Sequence, residues 1–301
     1  MKRRQQGVAL ITAVLIVALV TTIAVAMASR QQLDIRRSAN VFDSDQAWLA
    51  VLGGEDYARN VLSVDKKNST TDALGEDWAQ PVQFPFENMT LSGVMEDAQG
   101  RFNINNLLEN GASSADDLKR FRHLLTLLGL DPAVAQAALD WIDDDINGSA
   151  EDDYYMQQVP GYRAANRLMA SASELRLVRG MTADGYKQIA PFVVALPTRT
   201  SININTAPAQ VLAMIDDTLT VADGEAMAEA RDKKGYGTVQ EFLATQLLQP
   251  RNVSAAGLGV ASDYFLINAM AEFDNSRSQQ FSLLKREGAV VTVFMRGQGA
   301  Y

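Results

Sequence analysis

The first strong pattern in the chain is an uninterrupted run of apolar and small residues near its start. Residues 8–29 contain no charged side chain, and as a helix they span roughly 33 Å, enough to cross a bilayer core of about 30 Å. Apolar residues then recur every seven positions, at Ile35, Phe42 and Leu49, as on one face of a helix. We therefore predict one long helix over residues 8–62, of which the segment 8–29 spans a membrane.

Beyond this helix the hydrophobic periodicity changes from strand-like to helical and then back to strand-like. A β-hairpin is expected between Met89 and Ile104, around the turn-forming residues 97–100. The first part of the sheet is predicted within 63–105, where residues 63–87 are polar and loop-like and the strand pattern begins at Met89. An all-α insert follows over 106–255 (with two units at about 106–197 and 201–250), and strands within 256–301 complete the sheet. The pattern predicts an α+β protein whose small antiparallel sheet is interrupted by a large helical insert.

Charges beside the apolar run predict its orientation. Three basic side chains lie within residues 1–4, so the positive-inside rule places the amino terminus in the cytoplasm and the rest of the chain outside. A cleaved secretory signal peptide is the alternative, because the Ala-Met-Ala at 26–28 is an acceptable cleavage site. The run is longer than the usual signal core of about 7–15 residues, and helical spacing continues past that site. We therefore favour a retained membrane helix.

Composition and charge narrow the functional classes. The 301-residue chain has a net charge of −9, divided into +5 on residues 1–37 and −14 on the remainder. An acidic body is repelled by phosphate backbones, so nucleic acid is not an expected partner. The chain has no cysteine and one histidine, His123, which excludes thiolate zinc sites, cysteine nucleophiles and multi-histidine centres. No Gly-rich phosphate loop or HExxH motif is present, so we predict no catalytic residues.

The densest charge lies in one predicted loop. Residues 140–153 contain seven carboxylates in fourteen positions, and such like charges repel unless a cation compensates them. The spacing of Asp143, Asp145 and Asn147 before a glycine matches the start of an EF-hand calcium loop, but its twelfth position is Tyr154 rather than Glu. A solvated acidic loop without an ion is therefore the alternative to a structural Ca²⁺ site. The predicted ligands are Asp143, Asp145, Asn147, Glu151 and Asp152, with Asp140 and Asp153 as second choices.

The segment around residue 7 resembles the leader of type IV pilins and type II secretion pseudopilins. A short basic stretch ends in Gly7 and is followed directly by the apolar helix. The resemblance implies that a membrane prepilin peptidase cuts between Gly7 and Val8 and methylates the amino group of Val8, so that residues 1–7 are a leader. Most members of these families have Glu at the fifth mature position, where this chain has Thr12. The absence of that Glu is typical of the minor pseudopilin K family and suits the first subunit of a fibre.

Several further segments are similar, in the same order, to the type II secretion minor pseudopilin K family (general secretion pathway protein K). They are residues 97–107 (DAQGRFNINNL), 139–143 (LDWID), 151–155 (EDDYY), 162–167 (YRAANR), 174–175 (EL) and 203–207 (NINTA). The resemblance implies a pilin-like fold, no enzymatic activity and Ca²⁺ bound near the acidic loop. It also implies a single-pass anchor in the bacterial inner membrane with the body in the periplasm.

Membership of that family implies a position at the tip of the pseudopilus, where the subunit helps to initiate assembly for protein export across the outer membrane. The implied partners are minor pseudopilins I and J, then H and the major pseudopilin. A minor pilin-like subunit of a type IV pilus or competence apparatus is the alternative. A secreted, calcium-stabilised domain released after Ala28 is a third possibility.

Residues 201–207 and the helical pattern after them also resemble the helix-hairpin-helix segment of DNA-uptake receptors. Such segments bind phosphates through the backbone amides of a Gly-rich hairpin. The expected hairpin here, residues 215–220 (IDDTLT), has no Gly-x-Gly and carries two carboxylates. This resemblance therefore does not predict DNA binding.

Overall fold

The computed structural model describes residues 6–144, 148, 150, 152–231, 233–274 and 276–298. Its helices are α1 (Gln6–Asn68), α2 (Ala115–Leu127), α3 (Ala133–Ile142), α4 (Asp152–Tyr155), α5 (Ala183–Ile189), α6 (Ala209–Ala213), α7 (Val221–Ala230) and α8 (Val239–Leu243). Its strands are β1 (Val82–Pro85), β2 (Met89–Asp97), β3 (Phe102–Asn103), β4 (Leu108–Glu109), β5 (Ala112–Ser113), β6 (Val193–Val194), β7 (Ile202–Asn203), β8 (Leu258–Gly259), β9 (Tyr264–Phe273), β10 (Ser276–Glu287) and β11 (Val290–Gln298). Short 3-10 helices lie at Asp77–Ala79, Ala98–Gly100, Ile104–Leu107, Ala172–Leu177, Ala190–Phe192 and Gln249–Arg251.

Helix α1 is continuous over 63 residues and runs to Asn68, beyond the expected end at residue 62. Its last turn carries two lysines, whose charge offsets the negative end of the helix dipole. Side chains 7–42 are exposed, whereas the later part packs on the sheet. Gly54 lies in that later part, and a Cβ there would be 3.2 Å from the Leu91 side chain. The glycine therefore allows α1 to approach the sheet closely.

The sheet has five strands in the order β1-β2-β9-β10-β11, and all neighbouring strands are antiparallel. The three C-terminal strands lie where the sequence predicted β-rich runs. Strand β1, by contrast, lies in a segment expected to be a loop. One edge of the sheet is therefore formed by the short β1 and the other edge by β11.

The predicted hairpin between Met89 and Ile104 is wrong. Strand β2 pairs with β1 and β9, whereas β3 pairs in parallel with β6. The chain leaves the sheet at Asp97, whose Oδ1 accepts a hydrogen bond from the Gln99 N–H at 2.8 Å and so caps a 3-10 turn. That turn directs the chain into the insert instead of back along β2.

Small and branched side chains of α1 form the core of the helix–sheet layer. Those buried on the helix are Ala47, Val51, Ala58 and Leu62, and those beneath them on the strands include Met95, Phe265, Ile267, Ala269, Ala271 and Leu284. Small residues on α1 bring its backbone near the strands, and the larger strand residues fill the space between them. The second half of α1 is therefore an integral part of the sheet domain rather than a free stem.

One charged residue is buried in this apolar layer. Glu55 accepts hydrogen bonds from Ser282 Oγ at 2.5 Å and Gln280 Nε2 at 3.0 Å, and Arg296 binds both of its carboxylate oxygens at 2.7 and 2.9 Å. Burial disfavours its charged form, but the hydrogen bonds from Arg296 and Ser282 outweigh this and lower the pKa of Glu55. Glu55 is thus an ionised side chain that fixes α1 to two strands.

A bulge in β11 makes this contact possible. Leu283 and Leu284 are consecutive on β10, yet they pair with Met295 and Val293 on β11, so Phe294 is an extra residue. The bulge reverses which face the following residues occupy. Val293 packs on the α1 side, and Arg296 reaches Glu55 on that same side.

The insert contains two units built on one plan. The first opens with β3 and closes with β6, and the second opens with β7 and closes with β8, each pair being parallel. Asn105 donates to the Met169 carbonyl and accepts from its N–H, both at 2.9 Å. Asn205 makes the same two bonds with Tyr236 at 3.0 and 2.7 Å. Equivalent asparagines thus tie down a loop in each unit.

We predict that Glu55→Ala destabilises the protein by about 2 kcal/mol or more, because it leaves buried Gln280 and Ser282 without their acceptor. The free energy of unfolding from urea titration provides the measurement. Asp56→Ala is the matched control, since Asp56 is exposed and pairs across a helix turn with Arg59. Equal losses in the two variants would contradict a structural role for the Glu55 network.

Candidate functional site

The predicted processing site lies at the start of α1. Gly7 and Val8 are exposed in the first turn, and residues 1–5 lie outside the described part of the chain. The Thr12 hydroxyl donates to the Ala9 carbonyl at 3.0 Å, a bond within its own helix that spares the apolar segment an unpaired polar group. Among the described residues, α1 is the helix long and apolar enough to cross a membrane.

The acidic loop follows α3 and leads into α4. Of its predicted ligands, Asp140, Asp143, Asp152 and Asp153 lie in the described part of the chain, whereas Asp145, Asn147 and Glu151 lie outside it. The predicted ligand set therefore stays a prediction. The described carboxylates establish how the two ends of the loop are held.

Asp140 and Asp152 anchor opposite ends of the loop. The buried carboxylate of Asp140 accepts from the Gln136 side chain at 3.0 Å and from the Ala150 N–H at 3.1 Å. Asp152 accepts from the Ala164 N–H at 3.0 Å, and its other oxygen lies 3.7 Å from Arg163 Nε. Asp140 therefore closes the loop onto its preceding helix, and Asp152 ties it to the following segment.

The other two described carboxylates lie at the helix ends. Asp143 caps the end of α3, its backbone N–H donating to the Leu139 carbonyl at 3.0 Å, and Asp153 is exposed in the first turn of α4. A carboxylate oxygen has two lone pairs, so Asp140 and Asp152 can each accept a hydrogen bond and still offer a ligand oxygen. The donors are hard oxygens of the kind Ca²⁺ prefers. The chemistry of the described residues fits the predicted ion.

Aromatic rings from the two segments that flank the loop pack together. The ring centroids of Trp141 and Tyr155 are 5.1 Å apart, and those of Tyr155 and Tyr162 are 5.2 Å apart. The Tyr155 hydroxyl accepts from the Arg179 N–H at 3.1 Å, and burial raises the pKa of Tyr155 to about 12. The tyrosine therefore stays neutral, and its ring joins the two segments that flank the loop.

A second acidic cluster, at the end of α1, escaped the sequence analysis. Ligand oxygens of Asp65, Asp72 and Glu76 lie within 4.8 Å of one another. Arg286 already compensates them, with one nitrogen 3.0 Å from Asp65 and another 2.6 Å from Asp72. We interpret the cluster as a buried ion-pair network. No sequence signal could have revealed it, because Arg286 is far from the carboxylates along the chain.

A third polar cluster joins the insert to the sheet. Asp97, at the end of β2, accepts from Thr206 at 2.6 Å, Ser262 at 2.7 Å and Asn203 at 2.8 Å. Burial raises the pKa of Asp97, while its hydrogen-bond donors oppose that rise. The side chain connects the entrance of the insert to the start of its second unit and to its exit.

These features define a class of protein: an α+β protein with a small antiparallel sheet, a helical insert and a long N-terminal helix that is apolar enough to cross a membrane. Family models described as "Type II secretion system (T2SS), protein K" match residues 100–198 and 202–261. The type II secretion system protein K of Pseudomonas aeruginosa is 38% identical, covering 99% of this chain and 94% of its own length. That of Klebsiella pneumoniae is 35% identical, covering 100% and 98%.

A solved structure has the same fold. The GspK–GspI–GspJ complex of enterotoxigenic Escherichia coli contains a chain that matches with a TM-score of 0.77 and 27% identity, covering 88% of this chain and 100% of the solved one. The present chain therefore belongs to the type II secretion system protein K family, the minor pseudopilins of that secretion machinery. The family is a structural component of the machinery.

We predict that Asp65 makes stability fall as the pH rises from about 4 to 6. Burial, followed by the charges of Glu76 and Asp72, raises the pKa of Asp65 to about 6 despite the opposing attraction of Arg286. The ordinary value is about 3.9, so within this window the folded protein retains a proton that the unfolded chain has released. Asp65→Asn should flatten this part of the stability profile, measured by urea unfolding at several pH values.

Asp77→Asn is the control for this experiment, because Asp77 lies beside the cluster but is exposed. Its profile should keep the slope of the unaltered protein. Parallel profiles for Asp65→Asn and the unaltered protein would contradict the assignment.

Proposed function

We propose that this chain is the tip subunit of the type II secretion pseudopilus, with α1 anchored in the inner membrane and the body in the periplasm. The observation that best supports the tip position is the presence of Thr12 at the fifth mature position. A Glu there would pair with the terminal amine of a neighbouring subunit, where an unpaired charge is expensive. Thr12 instead satisfies its hydroxyl on Ala9. The chain thus lacks the group that binds a subunit on one side, as a terminal subunit requires.

The insert is a second reason to propose a position at the tip of the pseudopilus. Its core is separate from that between α1 and the sheet, so it adds a second body to the sheet domain. A subunit stacked above would have to accommodate this added width. A terminal subunit has no such neighbour, and it can begin the assembly of the fibre.

Minor pseudopilins I and J are the partners that we propose, followed by H and the major pseudopilin. The solved relative is part of a complex with GspI and GspJ, which supports the first two. On α1, the exposed side chains of Ile35, Phe42 and Leu49 repeat every seven residues. A stripe with this spacing is the kind that packs against another helix. We define these three side chains as the stem stripe.

The same proposal implies that the leader, residues 1–7, is removed. The membrane prepilin peptidase would cut between Gly7 and Val8, and Val8 would carry the methylated amino group. Both residues are exposed, so the peptide bond between them is open to an enzyme in the membrane. Removal of residues 1–7 would also remove three positive charges.

We further propose that the acidic loop binds Ca²⁺ in a structural role. Asp143, Asp145, Asn147, Glu151 and Asp152 would hold the ion, with Asp140 and Asp153 as second choices. The support is the carboxylate density of the loop and the anchoring of its two ends at Asp140 and Asp152. A bound cation would relieve the repulsion between the carboxylates of the loop.

We predict that Leu49→Glu in the full-length chain lowers co-purification with minor pseudopilins I and J by about tenfold or more, because a helix interface would bury the new carboxylate unpaired. Asn40→Glu adds the same charge on roughly the opposite face of α1 and should leave co-purification unchanged. Failure of the unaltered chain to co-purify would overturn the partner proposal. If both variants co-purify as well as the unaltered chain does, the stem stripe is not the contact.

We predict that Ca²⁺ raises the melting temperature of residues 30–301 by roughly 5–10 °C at a hundredfold excess over Kd. Asp143→Asn combined with Asp145→Asn should remove most of this shift. Glu225→Gln combined with Glu229→Gln neutralises two exposed carboxylates on α7 and should retain it. A melting temperature that does not respond to EDTA or calcium would reject the site.

A further inference from the structure

A cavity of about 490 Å³ lies beside the end of α1, between residues 57–68 of that helix and the following segment 69–78. Its volume is within the range of roughly 300–1,000 Å³ that ligand sites occupy. Three carboxylates line it, those of Asp65, Glu76 and Asp77. No lysine or arginine is among the described residues that line it. We define this space as the acidic cavity.

The acidic cavity keeps a net negative charge. Arg286 is fully buried behind it and compensates Asp65, with one guanidinium nitrogen 3.0 Å from that carboxylate. Glu76 accepts from the indole N–H of Trp78 at 2.7 Å, but this donor is neutral and leaves the charge of Glu76 in place. Asp77 is exposed and adds a further negative charge. A cation that entered the cavity would therefore be attracted by the carboxylates that line it.

The remaining wall of the cavity is apolar. Val61 and Val64 line it from α1, and Met95 lines it from β2. A lysine or arginine carries its charge at the end of an apolar stem, which packs on such a surface while the charged head stays with polar groups. A hydrated metal ion would gain nothing from this wall and would lie close to the fixed charge of Arg286. The cavity therefore fits a long basic side chain better than an inorganic ion.

The cavity lies along the side of α1 that carries the stem stripe. Asn60 lines the cavity and is exposed. It follows Leu49 by eleven positions, which is three turns of about 3.6 residues each, so both side chains point to the same side of the helix. A neighbouring helix that packs on the stem stripe and continues for three more turns therefore reaches the acidic cavity.

We propose that the acidic cavity receives a lysine or arginine side chain of the subunit that packs on the stem stripe. This inference rests on the proposed function, because it requires a neighbouring subunit along α1. An apolar stripe alone allows two helices to slide along each other, whereas a charged side chain that enters one cavity fixes a single register. The cavity would thus set the height of the neighbour relative to this subunit.

The first test reverses the charge at the cavity in the full-length chain. Asp77→Lys should lower co-purification with minor pseudopilins I and J by about tenfold or more, because a like charge would face the incoming basic side chain. The melting temperature of this variant should not fall, since the side chain of Asp77 is exposed. Asp184→Lys is the matched control, because it makes the same change at an exposed position on α5 of the insert. It should co-purify like the unaltered chain.

The second test identifies the occupant directly. Tyr57 lines the cavity and is 42% exposed, so a photoreactive p-benzoylphenylalanine at this position replaces one aromatic ring with another. Irradiation of the complex with I and J should crosslink this side chain to one of the two subunits. Mass spectrometry should then find a lysine or arginine within about one helix turn of the crosslinked residue.

The outcomes separate this inference from the proposed function. If the unaltered chain does not co-purify with I and J, the proposed partners are wrong and the inference is wrong with them. If it does co-purify, an undiminished yield of Asp77→Lys or an equal loss in Asp184→Lys would overturn the cavity proposal alone. A crosslink to neither subunit, or to a segment without a basic residue, would also overturn it. Spermidine that stabilises residues 30–301 but not their Asp77→Asn variant would reject a protein side chain in favour of a small cation.

Discussion

Arg286, on β10, is buried completely, and its guanidinium contacts three segments that are distant in the sequence. It lies 3.0 Å from Asp65 at the end of α1, 2.6 Å from Asp72 in the following loop and 2.7 Å from the Ser262 carbonyl at the end of the insert. It also lies 4.6 Å from the Phe265 ring centroid. A buried charge is tolerated only while its partners stay in place. The guanidinium therefore couples the positions of helix, sheet and insert.

The position of the insert follows from the same junction. The chain leaves the sheet after Asp97 and returns at Tyr264, and Asp97 is paired with Phe265 in the register of β2 and β9. The insert thus occupies the place of a turn between two adjacent antiparallel strands. An insert of any size can connect two such strands without disturbing the sheet, because its first and last residues lie side by side.

That arrangement explains which parts of the fold the sequence could predict. The long helix and the three C-terminal strands have local periodicity, so they were predictable. The local hairpin at Met89 was wrong because β2 pairs with β9, a partner beyond the whole insert. The Arg286 network and Glu55 depend on similarly distant contacts. At the acidic loop the sequence shows which oxygen donors are present, whereas the closure of the loop onto Asp140 depends on the fold.

The two proposed roles of the chain, assembly through α1 and calcium binding by the acidic loop, involve different hydrophobic cores. The core of the insert is distinct from that between α1 and the sheet, and the two are joined by a small third cluster and by the hydrogen bonds of Asp97. Trp141 and Tyr155, on the helices that flank the acidic loop, belong to the insert core. An ion bound by that loop would therefore stabilise the insert directly and affect α1 only through the narrow junction. In the proposed roles, assembly through α1 would therefore use a sheet domain that the ion stabilises only through this junction.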